Sequence, residues 1–185
     1  MTNALTQIPF NKMDDTEASL NDFAGSVVLI VNVASACGLT PQYEALEKLY
    51  ESHRERGLVV LAFPANNFGA QEPGSNDEIV EFCRGKFGVQ FPMAQKISVT
   101  GDDAHPLYRE LVDAIPHALH NADSELLKVL KTHNLAPKND TDIMWNFEKF
   151  LLNRKGEVVA RFAPDIAPDD ARIVQAIEAE LAKTA

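Results

Sequence analysis

The run Val27-Val28-Leu29-Ile30-Val31-Asn32-Val33 constrains this chain more than any other feature. It is almost wholly apolar, largely β-branched, and does not alternate. A strand with no polar face is buried on both sides, as in a central sheet with helices packed on each face. The apolar stretch from Val27 to Cys37 is broken by Asn32 and Ser35 and is too short to span a bilayer. Gly38-Leu39-Thr40-Pro41 then breaks the strand. Thr40 as N-cap and Pro41 at the first helical position predict a helix through Leu46 and Leu49 to about Arg56, stopped by Gly57.

Leu58 to Phe63 reads as a second buried strand, and Pro64 to Gly74 as a loop. Ser75-Asn76-Asp77-Glu78 is a capping box. It opens a helix that carries Ile79, Phe82 and Cys83 and ends at Gly88. His105-Pro106 leads into a helix through Leu107 and Leu111. Trp145 to Leu152 alternates and predicts a strand. Asn153-Arg154-Lys155-Gly156 turns it, and Glu157 to Phe162 pairs back. Asp169-Asp170 start a last helix through Ile173, Val174, Ile177 and Leu181. Asp14-Asp15 reads as another solvated helix start. With right-handed crossovers, this order gives an α/β fold of the thioredoxin-like kind, a central mixed sheet flanked by helices. Other α/β folds share the order.

The 185 residues suit one domain, 1–185, and no repeat or linker divides them. Pro116 to Asp142 reads as an inserted surface loop, helical in part over Ser124 to Lys131. The net charge of −10 argues against nucleic acid and anionic membranes as partners. The first ten residues have neither a basic nor an apolar signal region, so the expected compartment is the cytoplasm. Two cysteines are too few for a disulfide scaffold, but they are enough for a redox couple.

Cys37 comes after the first buried strand and just before the predicted helix, where backbone N–H groups and the helix dipole favour a thiolate. The alternative is a buried, inert cysteine, and position alone does not choose between them. Cys37-Gly38-Leu39-Thr40 has Thr where a thioredoxin Cys-x-x-Cys motif has its second cysteine. A disulfide within the turn is therefore excluded, which suits peroxide reduction better than dithiol exchange.

Asn32-Val33-Ala34-Ser35-Ala36-Cys37-Gly38-Leu39-Thr40 resembles the active-site segment of the glutathione peroxidase family. The stretch from Phe63 to Gly74 resembles the family's second signature, and Trp145-Asn146-Phe147-Glu148-Lys149-Phe150-Leu151 its third. The likeness runs from about Phe10 to Ala182, in the family's order, and is that of a bacterial cysteine-type member, with Cys in place of selenocysteine. It implies a catalytic tetrad of Cys37, Gln71, Trp145 and Asn146. It also implies reduction of hydrogen peroxide and organic hydroperoxides through a sulfenic acid at Cys37, with no prosthetic group and no metal. The Gln and Asn amides and the indole N–H are neutral donors suited to charge moving onto oxygen. Singly, Trp145 would read as core, and Gln71 and Asn146 as loop hydrogen bonding. Gly69, Pro73 and Gly74 shape the loop.

The second signature usually has Cys and Gln where this chain has Ala65 and Asn67. Cys83 is then the only internal partner for Cys37. The resemblance implies a resolving role for it, with thioredoxin reducing the Cys37–Cys83 disulfide. Cys83 stands one position from the cysteine of the plant-type pattern, and one position turns a helical side chain by about 100°. A buried structural thiol is the other reading. Glutathione is the alternative donor, but Arg161-Phe162-Ala163-Pro164-Asp165 lacks the paired arginines expected for an anionic tripeptide, and the acidic charge disfavours its approach. His117 and His120 have metal-pair spacing, but no further ligands complete a site. In relatives that form tetramers, a loop at the place of Pro116–Asp142 joins the assembly, which leaves a homo-oligomer open. The rival from another class is a peroxide sensor whose turnover is incidental. Slow turnover with a stable oxidised complex would favour it. A catalytically idle binding protein is a further rival, and an unreactive Cys37 would favour that.

Overall fold

The computed structural model describes residues 3–184. In order, the elements are α1 (Ala4–Gln7), β1 (Phe10–Asn11), β2 (Glu17–Ala18), β3 (Val27–Val33), α2 (Gln42–His53), β4 (Leu58–Pro64), α3 (Asn76–Phe87), α4 (Pro106–Ala114), α5 (Glu125–Thr132), β5 (Lys149–Leu152), β6 (Val158–Phe162) and α6 (Ala171–Leu181). Every residue of β3 is buried, as its composition requires. β4 pairs with it in parallel from Val27–Leu58 to Val33–Pro64. β5 lies antiparallel on its other side, and β6 antiparallel beyond that, in the order β4-β3-β5-β6. A parallel pair needs a crossover, which α2 supplies. This is the mixed, thioredoxin-like sheet that the sequence predicts.

The register assigns the two faces. Ile30, Asn32, Phe63 and Phe150 share one, because Asn32 pairs with Phe63 and Ile30 with Phe150. Tyr108 of α4 packs edge-on against Phe63 and Phe150 there. Lys149 pairs with Val31 and points to the opposite face, where its ammonium donates to Gln42 Oε1 of α2 at 2.7 Å. It also donates to the carbonyls of Pro164 (3.0 Å) and Ile166 (2.7 Å). Complete burial pushes the Lys149 pKa down to about 7, against the pull of Glu148 and Asp165. Each Val, Leu or Ile buried between the two layers stabilises the fold by about 2 kcal/mol.

Three expectations need correction. Thr40 does not cap α2: its hydroxyl is engaged elsewhere, and the chain passes through tight turns (Gln42 N–H to Leu39 O, Tyr43 N–H to Thr40 O) before the helix begins at Gln42. The strand expected from Trp145 starts only at Lys149, because Asn146 and Phe147 form a turn. Asp14-Asp15 is not a helix start. It lies in the β1–β2 connection, where Asp14 Oδ1 accepts the Thr16 N–H and Asp15 has φ 67°. The inserted segment carries its expected helix as α5 and is anchored to the body of the fold. Leu119 bridges to Phe162 at the sheet edge, Leu130 is buried, and Ser124, the N-cap of α5, donates to Asp165.

α2 and α6 are joined by Glu178, which accepts from Arg56 Nη1 and Nη2 (2.9 and 2.7 Å) and meets His53 Nε2 at 2.7 Å. The Arg56 and His53 bonds hold the Glu178 carboxyl down at about 2, against an ordinary 4.5. The unfolded chain binds the extra proton between those values. The stabilisation is therefore complete above the ordinary value and is lost as pH falls towards about 2. Thermal unfolding of Glu178→Gln beside wild type checks this. Wild type is expected to melt higher at pH 6, and the gap to close as pH falls towards 2.

Candidate active site

Cys37 lies just past the end of β3 and is 9% exposed. The Leu39 N–H donates to its Sγ at 3.3 Å. Thr40 braces the loop. Its hydroxyl accepts the Cys37 N–H at 2.9 Å and donates to the Ala34 carbonyl at 2.8 Å. The Ala36 N–H donates to the Gln71 carbonyl at 3.0 Å, which pins the second signature beside the cysteine.

Gly69 sits at φ +65°, and a Cβ on it would stand 3.3 Å from Trp145 Cη2 and 3.5 Å from the Gln71 side chain. The positive φ and the close approach to the indole together favour glycine here. Phe68 packs on the indole with ring centroids 5.5 Å apart. Asn146 Nδ2 donates to Gln71 Oε1 at 3.0 Å, and Asn146 is fully buried. The structure thus joins Gln71, Trp145 and Asn146 in one cluster and ties the Gln71 backbone to the residue before Cys37. Of the two departures from the signature, Ala65 is buried, and Asn67 braces the loop by bonds with Ser98 and Val99.

The Trp145–Asn146 turn is held from the sheet by Asn32. The Asn32 side-chain N–H donates to the Trp145 carbonyl at 3.1 Å, and the Asn32 backbone carbonyl accepts the Phe147 N–H at 2.6 Å. Phe147 adopts φ 71°, a left-handed conformation costing an ordinary side chain about 1–3 kcal/mol. Its buried ring, edge-on to Tyr43 at 5.4 Å, helps offset that cost. Sequence reasoning took Asn32 only as a break in an apolar run. A lone amide inside a buried strand needs partners, and that signal points to a bracing role.

Cys83 is on α3, 0% exposed, facing the Tyr43 hydroxyl, and both cysteines are free. Burial pushes the Cys83 thiol up to about 11. The Tyr43 hydroxyl pulls it back, and the charge of Glu72 adds to the rise. Glu72, next to Gln71, is itself buried, which raises its carboxyl above the usual range, while Ser35 lowers it. Glu72 is a member of this neighbourhood that sequence reasoning missed, because it reads as an ordinary loop acid. The Ser75–Glu78 capping box is formed as expected. Among the described residues no cluster of three or more His, Cys, Asp or Glu could hold a metal ion, and no helix is long and apolar enough to cross a membrane.

A thioredoxin-like sheet with a lone thiol at a strand end, and with amide and indole donors on adjoining loops, defines a class: the thioredoxin-fold thiol peroxidases. Comparison with known proteins narrows it. A model of the family "Glutathione peroxidase" matches residues 5–112. The chain is 47% identical over 171 residues to the thioredoxin/glutathione peroxidase BtuE of Escherichia coli, covering 92% of this chain and 93% of that one. It is 43% identical over 164 residues to the hydroperoxy fatty acid reductase gpx1 of Synechocystis, covering 86% of each. The crystal structure of apo Trgpx superposes with a TM-score of 0.71 at 32% identity, covering 100% of this chain and 99% of that one. The chain belongs to the glutathione peroxidase family and is a thiol peroxidase.

Thr40→Val removes a hydroxyl that serves one buried donor and one buried acceptor. Urea unfolding is expected to show a loss of about 2 kcal/mol, and Thr40→Ser is expected to keep most of the stability.

Proposed function

We propose that Cys37 is the peroxidatic nucleophile, with Gln71, Trp145 and Asn146 as its polar shell. The carrying observation is the hydrogen-bonded link from Ala36 through Gln71 to Asn146, which joins three separate sequence signatures at the residue next to Cys37. The Cys37 thiolate attacks one peroxide oxygen. The S–O bond forms, the O–O bond breaks, and the departing alkoxide or hydroxide takes a proton. The amide and indole N–H groups stabilise charge as it moves onto that oxygen. The Cys37 sulfenic acid is the product. Hydrogen peroxide and organic hydroperoxides are the substrates, and no prosthetic group takes part.

Cys83 is the resolving thiol in this reading, and thioredoxin the donor. A completely buried thiol held up near 11 cannot attack in place, so α3 must open. Its last turn is the place for that. The Gly88 N–H closes the helix on the Arg84 and Cys83 carbonyls, and Gly85 lies within the turn. Release exposes Cys83 and removes the burial that raises its pKa. The alternative donor, glutathione, draws less support. Arg161, on the late strand where anchoring arginines would be sought, is buried and fully engaged inside the protein. We place the enzyme in the cytoplasm. In the homo-oligomer reading, a second copy packs on the exposed Leu119, Val129 and Leu135 of the inserted segment.

Peroxide consumption is measured with thioredoxin, its reductase and NADPH, and separately with glutathione and its reductase. Cys37→Ser is expected to abolish both activities. Cys83→Ser is expected to abolish the thioredoxin activity, and Asn146→Ala to lower the rate about a hundredfold. Thioredoxin turnover that survives Cys83→Ser would make Cys83 structural. A reactive Cys37 without turnover on either donor would favour the sensor.

A further inference from the structure

Glu148 and Arg161 form an ion pair at 2.7 Å with both side chains 1% exposed. Their bonds lead outward in two directions. Glu148 Oε1 accepts the Met144 N–H at 2.9 Å, directly before Trp145 and Asn146. Arg161 Nη1 donates to the carbonyls of Ile115 (3.0 Å) and Pro116 (2.9 Å). Its Nη2 donates to those of Thr141 and Asp142, both at 3.1 Å. With Nε on Glu148, all five guanidinium N–H groups are used. Two of the carbonyls lie where the inserted segment leaves the fold and two where it returns. The guanidinium also sits over the Phe150 ring at 5.1 Å.

We propose that the Glu148–Arg161 pair is a positioning device for the peroxide site. It fixes the turn that presents Trp145 and Asn146 and ties that turn to both ends of the inserted segment. This rests on the reading of Trp145 and Asn146 as part of the site. The turn between Met144 and Glu148 contains the left-handed Phe147, a conformation that persists only where its surroundings over-determine it. Asn32 holds the turn from the sheet side, and Glu148 holds it from the other. Without the carboxylate, the Met144 N–H loses its partner and Phe147 can relax. Asn146 then has no fixed place against Gln71. Lysine cannot replace Arg161, because it lacks the planar fork that reaches both ends of the insert.

Trp145 is the only tryptophan, so its fluorescence reports on the turn directly. Three variants are compared: Glu148→Met, Arg161→Lys, and the double variant Glu148→Met/Arg161→Met. The double variant removes both buried charges and so avoids leaving one uncompensated. The readouts, taken well below the unfolding temperature, are Trp145 emission and quenching, the rate of Cys37 with hydrogen peroxide, and its rate with iodoacetamide. The expected result is a red-shifted, more readily quenched indole and a peroxide rate lowered about tenfold or more. The iodoacetamide rate, which draws on no peroxide-oxygen donors, is expected to stay within about twofold. A folded double variant with wild-type emission and peroxide rate would reduce the pair to a structural role and overturn the proposal. Trp145→Phe and Asn146→Ala separate the two readings. If both keep wild-type peroxide rates, the site reading falls and takes this one with it. If both lose rate while the double variant does not, only the positioning role falls.

Discussion

β3 has no face on which to leave a polar group unsatisfied, yet Asn32 lies near its end, fully buried. An unpaired buried amide costs about 1–3 kcal/mol, so that position has to recruit partners. It recruits the Trp145–Phe147 turn through its side-chain N–H and its backbone carbonyl, while its side-chain oxygen has no partner among the described residues. The same strand then runs out into Ala34, Ser35 and Cys37. One buried strand thus anchors the thiol loop covalently and the Trp145–Asn146 turn by hydrogen bonds. The parallel pairing of β4 brings the third loop alongside, because Val33 pairs with Pro64 and Gln71 reaches back to Ala36.

The two thiols stand in opposite settings. Cys37 is buried but 9% exposed, with a backbone N–H aimed at its sulfur, in a loop braced by Thr40. Cys83 is sealed in α3 behind Tyr43, with burial and the Glu72 charge both opposing ionisation. In the proposed cycle this keeps the second thiol unreactive until the first has been oxidised and the helix end has opened. The two ends of α3 differ. The reciprocal capping box at Ser75 and Glu78 secures its first turn, while Gly85 weakens its last, which the left-handed Gly88 closes.

The architecture was legible wherever local physics decided it. The apolar run of β3, the Ser75 capping box, the Gly57 and Gly88 stops and the Asn153–Gly156 turn all stand as the sequence implies. The site was legible as residue identities but not as geometry. The Trp145–Leu152 alternation looked like one strand, because nothing local announces that Phe147 takes a left-handed conformation. Partners distant in sequence, Asn32 on one side and Glu148 with Arg161 on the other, impose it. Thr40 misled for a related reason. A threonine before a helical proline is a good N-cap by local rules, but here its hydroxyl bonds backward to Ala34 and Cys37, across the loop. The anchoring role of Arg161 was not legible, because four of its five partners are backbone carbonyls distant in the chain. Sequence pattern carries little information about backbone acceptors brought together by tertiary packing.

The central claim is that Cys37 takes the peroxide oxygen and passes the oxidation to Cys83. Peptide mass spectrometry of the reduced protein after one equivalent of hydrogen peroxide tests it most directly, with a sulfenic-acid trap present in one arm. The account predicts trapped sulfenic acid on Cys37 alone, and without the trap a Cys37–Cys83 disulfide as the main product. Oxidation that begins at Cys83, or a Cys37 that stays reduced under the same treatment, would contradict it.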